Sequence, residues 1–218
     1  TRTRQLLLDQ EFINKVEDKL TLTTKGRLAF NLHEIHPLAM AEFMNSKQIE
    51  KLAENLLLNH DMFKKPVDTL RLAKSLGIKI DFQDLDDEVS GFLVRKGNKD
   101  IIGLNFNHPE NRQRFTISHE IGHYMLHVEQ QNLFVDYYKG DKLFRKNSSK
   151  VNYLMEKEAN QFAASLLMPR KLIEAEIQKL KDDLPYADKL SKLSFLFRVS
   201  EQAMDYRLKA LGFYDYGF

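Results

Sequence analysis

Two histidines four residues apart, with a glutamate directly after the first, stand at His119-Glu120-Ile121-Gly122-His123. On an α-helix, residues four apart share a face with Cβ atoms about 5–6 Å apart, so both imidazoles can reach one small cation. Zinc takes imidazole nitrogen at about 2.0–2.1 Å. Glu120 lies about 100° round the helix from His119, which lets its carboxylate reach a water on the cation and not the cation itself. A metal to acidify water and a carboxylate to take its proton are what a zinc peptidase needs. With 7 His in 218 residues, chance supplies about 0.015 such pentapeptides per chain, so the match carries information. The competing reading is a surface helix with two solvated histidines.

A catalytic zinc wants three protein ligands and an open position. The extended metzincin pattern does not supply the third, because Glu129 stands where it needs a histidine and Leu126 where it needs a glycine. A distant carboxylate is the other common solution. The segment Glu156-Lys157-Glu158-Ala159-Asn160-Gln161-Phe162-Ala163 offers one, because Glu156, Ala159, Asn160 and Ala163 share a helix face whose alanines permit close approach to a second helix. Glu156 is the expected third ligand, and Glu158, pointing roughly the opposite way, is held in reserve. Asn160, one turn after Glu156, can accept a hydrogen bond from the outer nitrogen of a ligand histidine and fix its tautomer. His127 would sit about 6 Å further along the helix axis than His123, too far to join the same site, and is read as packing or as a partner behind a ligand. A site of two histidines and one glutamate takes Zn2+, and also Mn2+ or Fe2+.

These residues need a helix around position 119, a second around 156, and something to hold both. Ile49, Leu52, Ala53, Leu56 and Leu57 recur at spacings of three and four from near Ser46, a helix signal. Pro66 suits the first turn of a second helix carrying Val67, Leu70, Leu72, Ala73 and Leu76, and Gly77 reads as its stop. The period then changes to two over Ile78, Ile80 and Phe82, the mark of a half-buried strand. Val89 to Val94 and Ile101 to Phe106 read as further strands, joined as a hairpin by Lys96-Gly97-Asn98-Lys99. Pro109 opens the helix of about 109–127; residues 128–150 read as a long polar connection; a helix of about 151–168 closes at Pro169. The expected fold is α+β: mostly helical, with a small sheet of three or more strands packed on the active-site helix. The expected organisation is an N-terminal extension over 1–45 without a clear period, a core over 46–170, and a C-terminal helical segment over 171–218 packed on that core.

Composition excludes several function classes. A net charge of +2 does not mark a nucleic-acid binder. The absence of cysteine removes disulfides, thiolate metal sites and a cysteine nucleophile, and fits the cytoplasm. No apolar run is long enough to span a bilayer, and the run Leu6-Leu7-Leu8 is too short for a signal peptide, so no membrane partner is expected. Residues 190–208 can be read as a helix-turn-helix, but the second helix offers Glu201, Gln202, Asp205 and Arg207, a poor face for phosphates. A helical pair packed on the core is the better reading. The run from Glu174 to Asp183 reads as a solvated helix face, and the aromatics of 213–218 as packing.

Taken in order, Pro66-Val67-Asp68, Leu76-Gly77-Ile78, Ser90-Gly91-Phe92-Leu93, Asn105, the run from Arg112 to His123, and Glu156-x-Glu158-Ala159-Asn160-x-Phe162-Ala163-x-x-Leu166-Leu167-Met168-Pro169 closely resemble the ImmA/IrrE family of zinc metallopeptidases. The likeness is strong over about 48–170 and weaker to about 212. It implies a gluzincin-like fold, zinc on His119, His123 and Glu156, and Glu120 as catalytic base. It also implies a substrate class: an Xre-type helix-turn-helix repressor, cut to relieve repression. The strand Ile101 to Phe106, were it at the sheet edge, could pair with an extended substrate. The alternative function is a regulatory or toxin–antitoxin-like module that binds a repressor or DNA without proteolysis; an intact Glu120 argues against it, because a structural zinc has no use for that carboxylate.

Overall fold

The computed structural model describes residues 13–16, 19–22, 44–96, 99–127, 133–137, 150–181 and 183–213. Two short strands, β1 (Ile13–Val16) and β2 (Lys19–Leu22), pair antiparallel inside the stretch read as patternless. The rest is built from α1 (Ser46–Asn59), α2 (Thr69–Ser75), β3 (Ile78–Gln83), β4 (Val89–Lys96), β5 (Lys99–Asn105), α3 (Glu110–Leu126), β6 (Leu133–Tyr137), α4 (Lys150–Leu167), α5 (Arg170–Ile177), α6 (Tyr186–Phe197) and α7 (Glu201–Leu211). This is the expected α+β arrangement.

The sheet has the order β3-β5-β4-β6. β4 and β5 form the expected antiparallel hairpin, closing on the pair Lys96 and Lys99; the two turn residues between them lie outside the described residues. β3 runs parallel to β5, and β6 runs antiparallel to β4. Two expectations are corrected here. The stretch 128–150 is not simply a connection, because Leu133–Tyr137 adds a fourth strand along the side of β4 away from β5. β3 pairs along the other side of β5, which therefore lies in the sheet interior and cannot be the edge that pairs with substrate; among the described residues the edges are β3 and β6.

Local chemistry sets where the helices begin and stop. Asn45 and Gln48 form a reciprocal capping box at the start of α1. α2 begins later than the expected turn at Pro66, because the Asp68 carboxylate caps the Arg71 N–H and fixes the start at Thr69. Gly77, at φ +77°, ends α2 in the left-handed region that glycine enters without strain. Asn105, fully buried, donates its amide to the carbonyls of Leu85, Asp86 and Val89 and so pins the β3–β4 connection against β5. Phe82 is 51% exposed although it follows the strand's alternation, as an edge strand permits.

The main core lies between the sheet and α1–α4, filled by Ile49, Leu57, Leu72, Leu93, Ile102, Leu104, Ile117 and Phe162. A second cluster joins the end of α4 to α5, α6 and α7 through Leu167, Met168, Ile173, Leu193, Phe197, Met204 and Leu208. Two charged side chains of the C-terminal segment lie inside. Arg207 is 3% exposed and donates to the Met168 carbonyl and to Glu50, so it faces the core and not a ligand. Glu176, in the run read as a solvated face, is buried and bridged by Lys65 and Lys179. Arg114 donates to the carbonyls of Val67, Phe197 and Arg198, tying α3 to the entry of α2 and the end of α6. Among the described residues, no helix is long and apolar enough to cross a membrane. Of the C-terminal aromatics, Phe213 packs on the second cluster; residues 214–218 lie outside the described residues.

α3 and α4 meet closely because Gly122 faces Ala159. A Cβ at position 122 would stand 3.1 Å from the Ala159 Cα, 3.2 Å from its carbonyl oxygen and 3.3 Å from the Phe162 Cβ. Backbone atoms cannot swing aside, so a larger side chain must part the helices. Gly122→Leu is expected to destabilise the fold by about 1–3 kcal/mol through overpacking, despite the better helix propensity of leucine. The denaturant midpoint measures it, and an unchanged midpoint would mean that the contact is looser than described.

Candidate metal centre

α3 puts His119 and His123 one turn apart on its buried face, each 1% exposed. α4 brings Glu156 opposite them. The Nε2 atoms of the two histidines lie 3.0 Å apart. Glu156 reaches both, with Oε2 3.2 Å from His119 Nε2 and Oε1 3.2 Å from His123 Nε2. Three ligating atoms thus converge on one point, a group able to hold a metal ion. Glu156 itself is 45% exposed on its side chain, so the group opens to solvent on the α4 side.

Hydrogen bonds behind the group set which nitrogen carries each proton. His119 Nδ1 lies 3.1 Å from Asn160 Oδ1, which can only accept, so Nδ1–H donates and Nε2 keeps its lone pair. His123 Nδ1 lies 3.1 Å from His127 Nδ1, and His127 Nε2 lies 2.8 Å from Glu158 Oε2. A carboxylate accepts, so neutral His127 donates from Nε2 and accepts at Nδ1; His123 then donates from Nδ1 and keeps its Nε2 lone pair too. Burial pushes the His123 imidazole down to about 4, which keeps it neutral at physiological pH.

These assignments give a test of whether a cation fits. Two nitrogen lone pairs and a carboxylate face one another across 3.0–3.2 Å, an all-acceptor cluster that repels itself unless something positive sits between. Tetrahedral bonds of about 2.0–2.1 Å place ligand atoms about 3.3–3.4 Å apart, close to the observed spacing. Two imidazoles and one carboxylate are also a donor set that catalytic zinc uses. The residues fit the ion.

Around the group, Glu120 is fully buried on α3. Phe134 of β6 stacks on the His123 ring at 4.3 Å between centroids and 21° between planes, and the His119 and His123 rings meet edge to face. Reading residues 128–150 as a connection hides Phe134; the apolar triplet Leu133-Phe134-Val135 is the signal that could have found it. Glu158, the reserve ligand, is not brought to the group. It is buried at 6% exposure, one oxygen taken by His127 and the other by the backbone N–H of Met44.

The sequence and the fold are similar to those of known proteins. The profile of the family described as the IrrE N-terminal-like domain, a peptidase family, matches residues 73–209, more than half of the chain. The metallopeptidase ImmA of Bacillus subtilis (strain 168) is 29% identical over 128 residues, 57% of this chain and 66% of that protein. A solved structure of a Mycobacterium tuberculosis transcriptional regulator superposes with a TM-score of 0.51 at 13% identity, over 85% of this chain and 52% of that one, a likeness of fold. The chain therefore spans just under two thirds of the first relative and about half of the second. The stretch Pro66-Val67-Asp68 lies ahead of the matched span, whereas α6 and most of α7 lie within it. With the two motif helices, the sheet and the matched span in agreement, the chain belongs to the ImmA/IrrE family of metallopeptidases.

Proposed function

We propose that this protein is a zinc-dependent, site-specific endopeptidase of the cytoplasm, acting on an Xre-type helix-turn-helix repressor. The observation that carries the reading is the convergence of His119 Nε2, His123 Nε2 and the Glu156 carboxylate within 3.0–3.2 Å of one another, beside a fully buried Glu120. His119, His123 and Glu156 would hold the ion, with Mn2+ or Fe2+ able to use the same donors. When bound, zinc supplies a Lewis acid that acidifies water and polarises the scissile carbonyl. Glu120 takes the proton from the attacking water and delivers it to the leaving amine. Asn160 holds His119 in the tautomer that leaves Nε2 bare. Residues 46–170 form the peptidase core in this reading, with 1–45 as an extension and 171–218 as a helical segment packed on it.

The choice of a repressor as substrate rests on the family, whose protein-cutting members act on such regulators. The test is incubation of the zinc-loaded protein with an Xre-type repressor, followed by mass spectrometry. The expected outcome is two fragments formed only when metal is present. Stable complex formation without fragments would favour a module that binds a repressor and does not cut it. Fragments formed equally after chelation would remove zinc from the account.

A further inference from the structure

Behind His123 runs a buried chain of hydrogen bonds that metal ligation alone does not require. His123 Nδ1 meets His127 Nδ1 at 3.1 Å, and His127 Nε2 meets Glu158 Oε2 at 2.8 Å. His123 and His127 are each 1% exposed and Glu158 6%. The remaining Glu158 oxygen accepts from the backbone N–H of Met44, two residues before α1 begins. An anion buried this deeply is costly unless its oxygens are satisfied, and here one oxygen faces a histidine and the other the chain entering α1.

We propose that His127 and Glu158 are positioning residues that hold His123 ready to ligate the metal, and that the Met44 N–H locks this relay from the segment entering α1; the proposal rests on the metal-centre reading above. The direction of the protons makes the case. Glu158, accepting at both oxygens, obliges His127 to donate from Nε2 and accept at Nδ1, which obliges His123 to place its own proton on Nδ1. Only then does His123 Nε2 present a lone pair to the ion. A glutamine at position 158 has one acceptor and one donor group for two N–H partners. Whichever way its amide turns, either Met44 loses its acceptor or His127 meets a donor, switches tautomer, and forces a proton onto His123 Nε2. His127→Phe keeps a ring in the space and removes the acceptor that His123 needs.

The probe is cobalt(II) alone, titrated into the metal-free full chain against a competing chelator, with the d–d spectrum recorded. The parent is expected to bind one equivalent. Glu158→Gln and His127→Phe are expected to bind about 10–100-fold more weakly, the usual cost of losing a partner behind a ligand, with shifted d–d bands and an unchanged far-ultraviolet circular dichroism spectrum. Met44→Pro, which lacks the N–H, is expected to bind more weakly than Met44→Ala, which keeps it. Because these last two leave His127 and Glu158 in place, they keep the test open if Glu158→Gln fails to fold. Variants that match the parent in affinity and spectrum would overturn the relay while leaving the metal centre standing. A parent that binds no cobalt would overturn the metal centre, and the relay with it.

Discussion

Glu120→Gln should lower peptide cleavage by about 10²–10⁴-fold, the range for loss of a general acid–base group, while leaving one metal bound per chain. Glutamine keeps the shape and removes the proton acceptor, so nothing on α3 needs to move. In barrier height the loss is about 2.7–5.4 kcal/mol. The prediction separates Glu120 from the three converging side chains, His119, His123 and Glu156, none of which it replaces. Cleavage rate and metal content, measured on the same preparation, check it. A variant that cuts at the parent rate would take the base away from Glu120, and one that loses its metal would make Glu120 a ligand.

Glu156→Ala should have the largest effect on metal binding. The carboxylate is the one anion among the three converging groups and the one contribution from α4, so its loss leaves two imidazoles on a single helix. The expected fall in zinc affinity exceeds the roughly 10–100-fold cost of losing a partner behind a ligand. Linkage makes this visible as stability. With free zinc at about 1,000 times the parent's Kd, binding stabilises the fold by about 4.1 kcal/mol. A variant whose Kd has risen to that zinc concentration keeps only about 0.4 kcal/mol. Thermal melts with and without zinc should therefore differ strongly in the parent and hardly at all in the variant. An equal zinc-dependent shift in both would exclude Glu156 from the centre.

Much of this arrangement was legible in the residues, for reasons that can be named. The spacing of His119 and His123 has chemical sense on a helix alone, and α3 is that helix. Ala159 and Ala163 announced a close helix contact, which Gly122 completes from the other side. The β4–β5 hairpin follows from alternation and its turn, both local signals. What escaped depends on partners distant in sequence. β6 is five residues in a polar stretch, and only its pairing with β4 makes it a strand. Glu158 does point away from Glu156, but that side of α4 is not solvent: His127 and the segment before α1 cover it. Glu176 lies in a run whose charges suggest a solvated face, yet it and Arg207 each find an opposite charge, and Arg207 a backbone carbonyl as well, which lets them go inside. Helical periodicity tells which residues share a face; it does not tell how many faces of a helix are covered.

Zinc K-edge X-ray absorption on the one-to-one zinc complex tests the central claim most directly, because it counts the imidazoles on the ion. The account predicts two histidine nitrogens with light-atom oxygen completing the shell, all at about 2.0–2.2 Å. A third imidazole, such as one from a rearranged His127, would contradict it, as would zinc lost from the parent protein on dialysis.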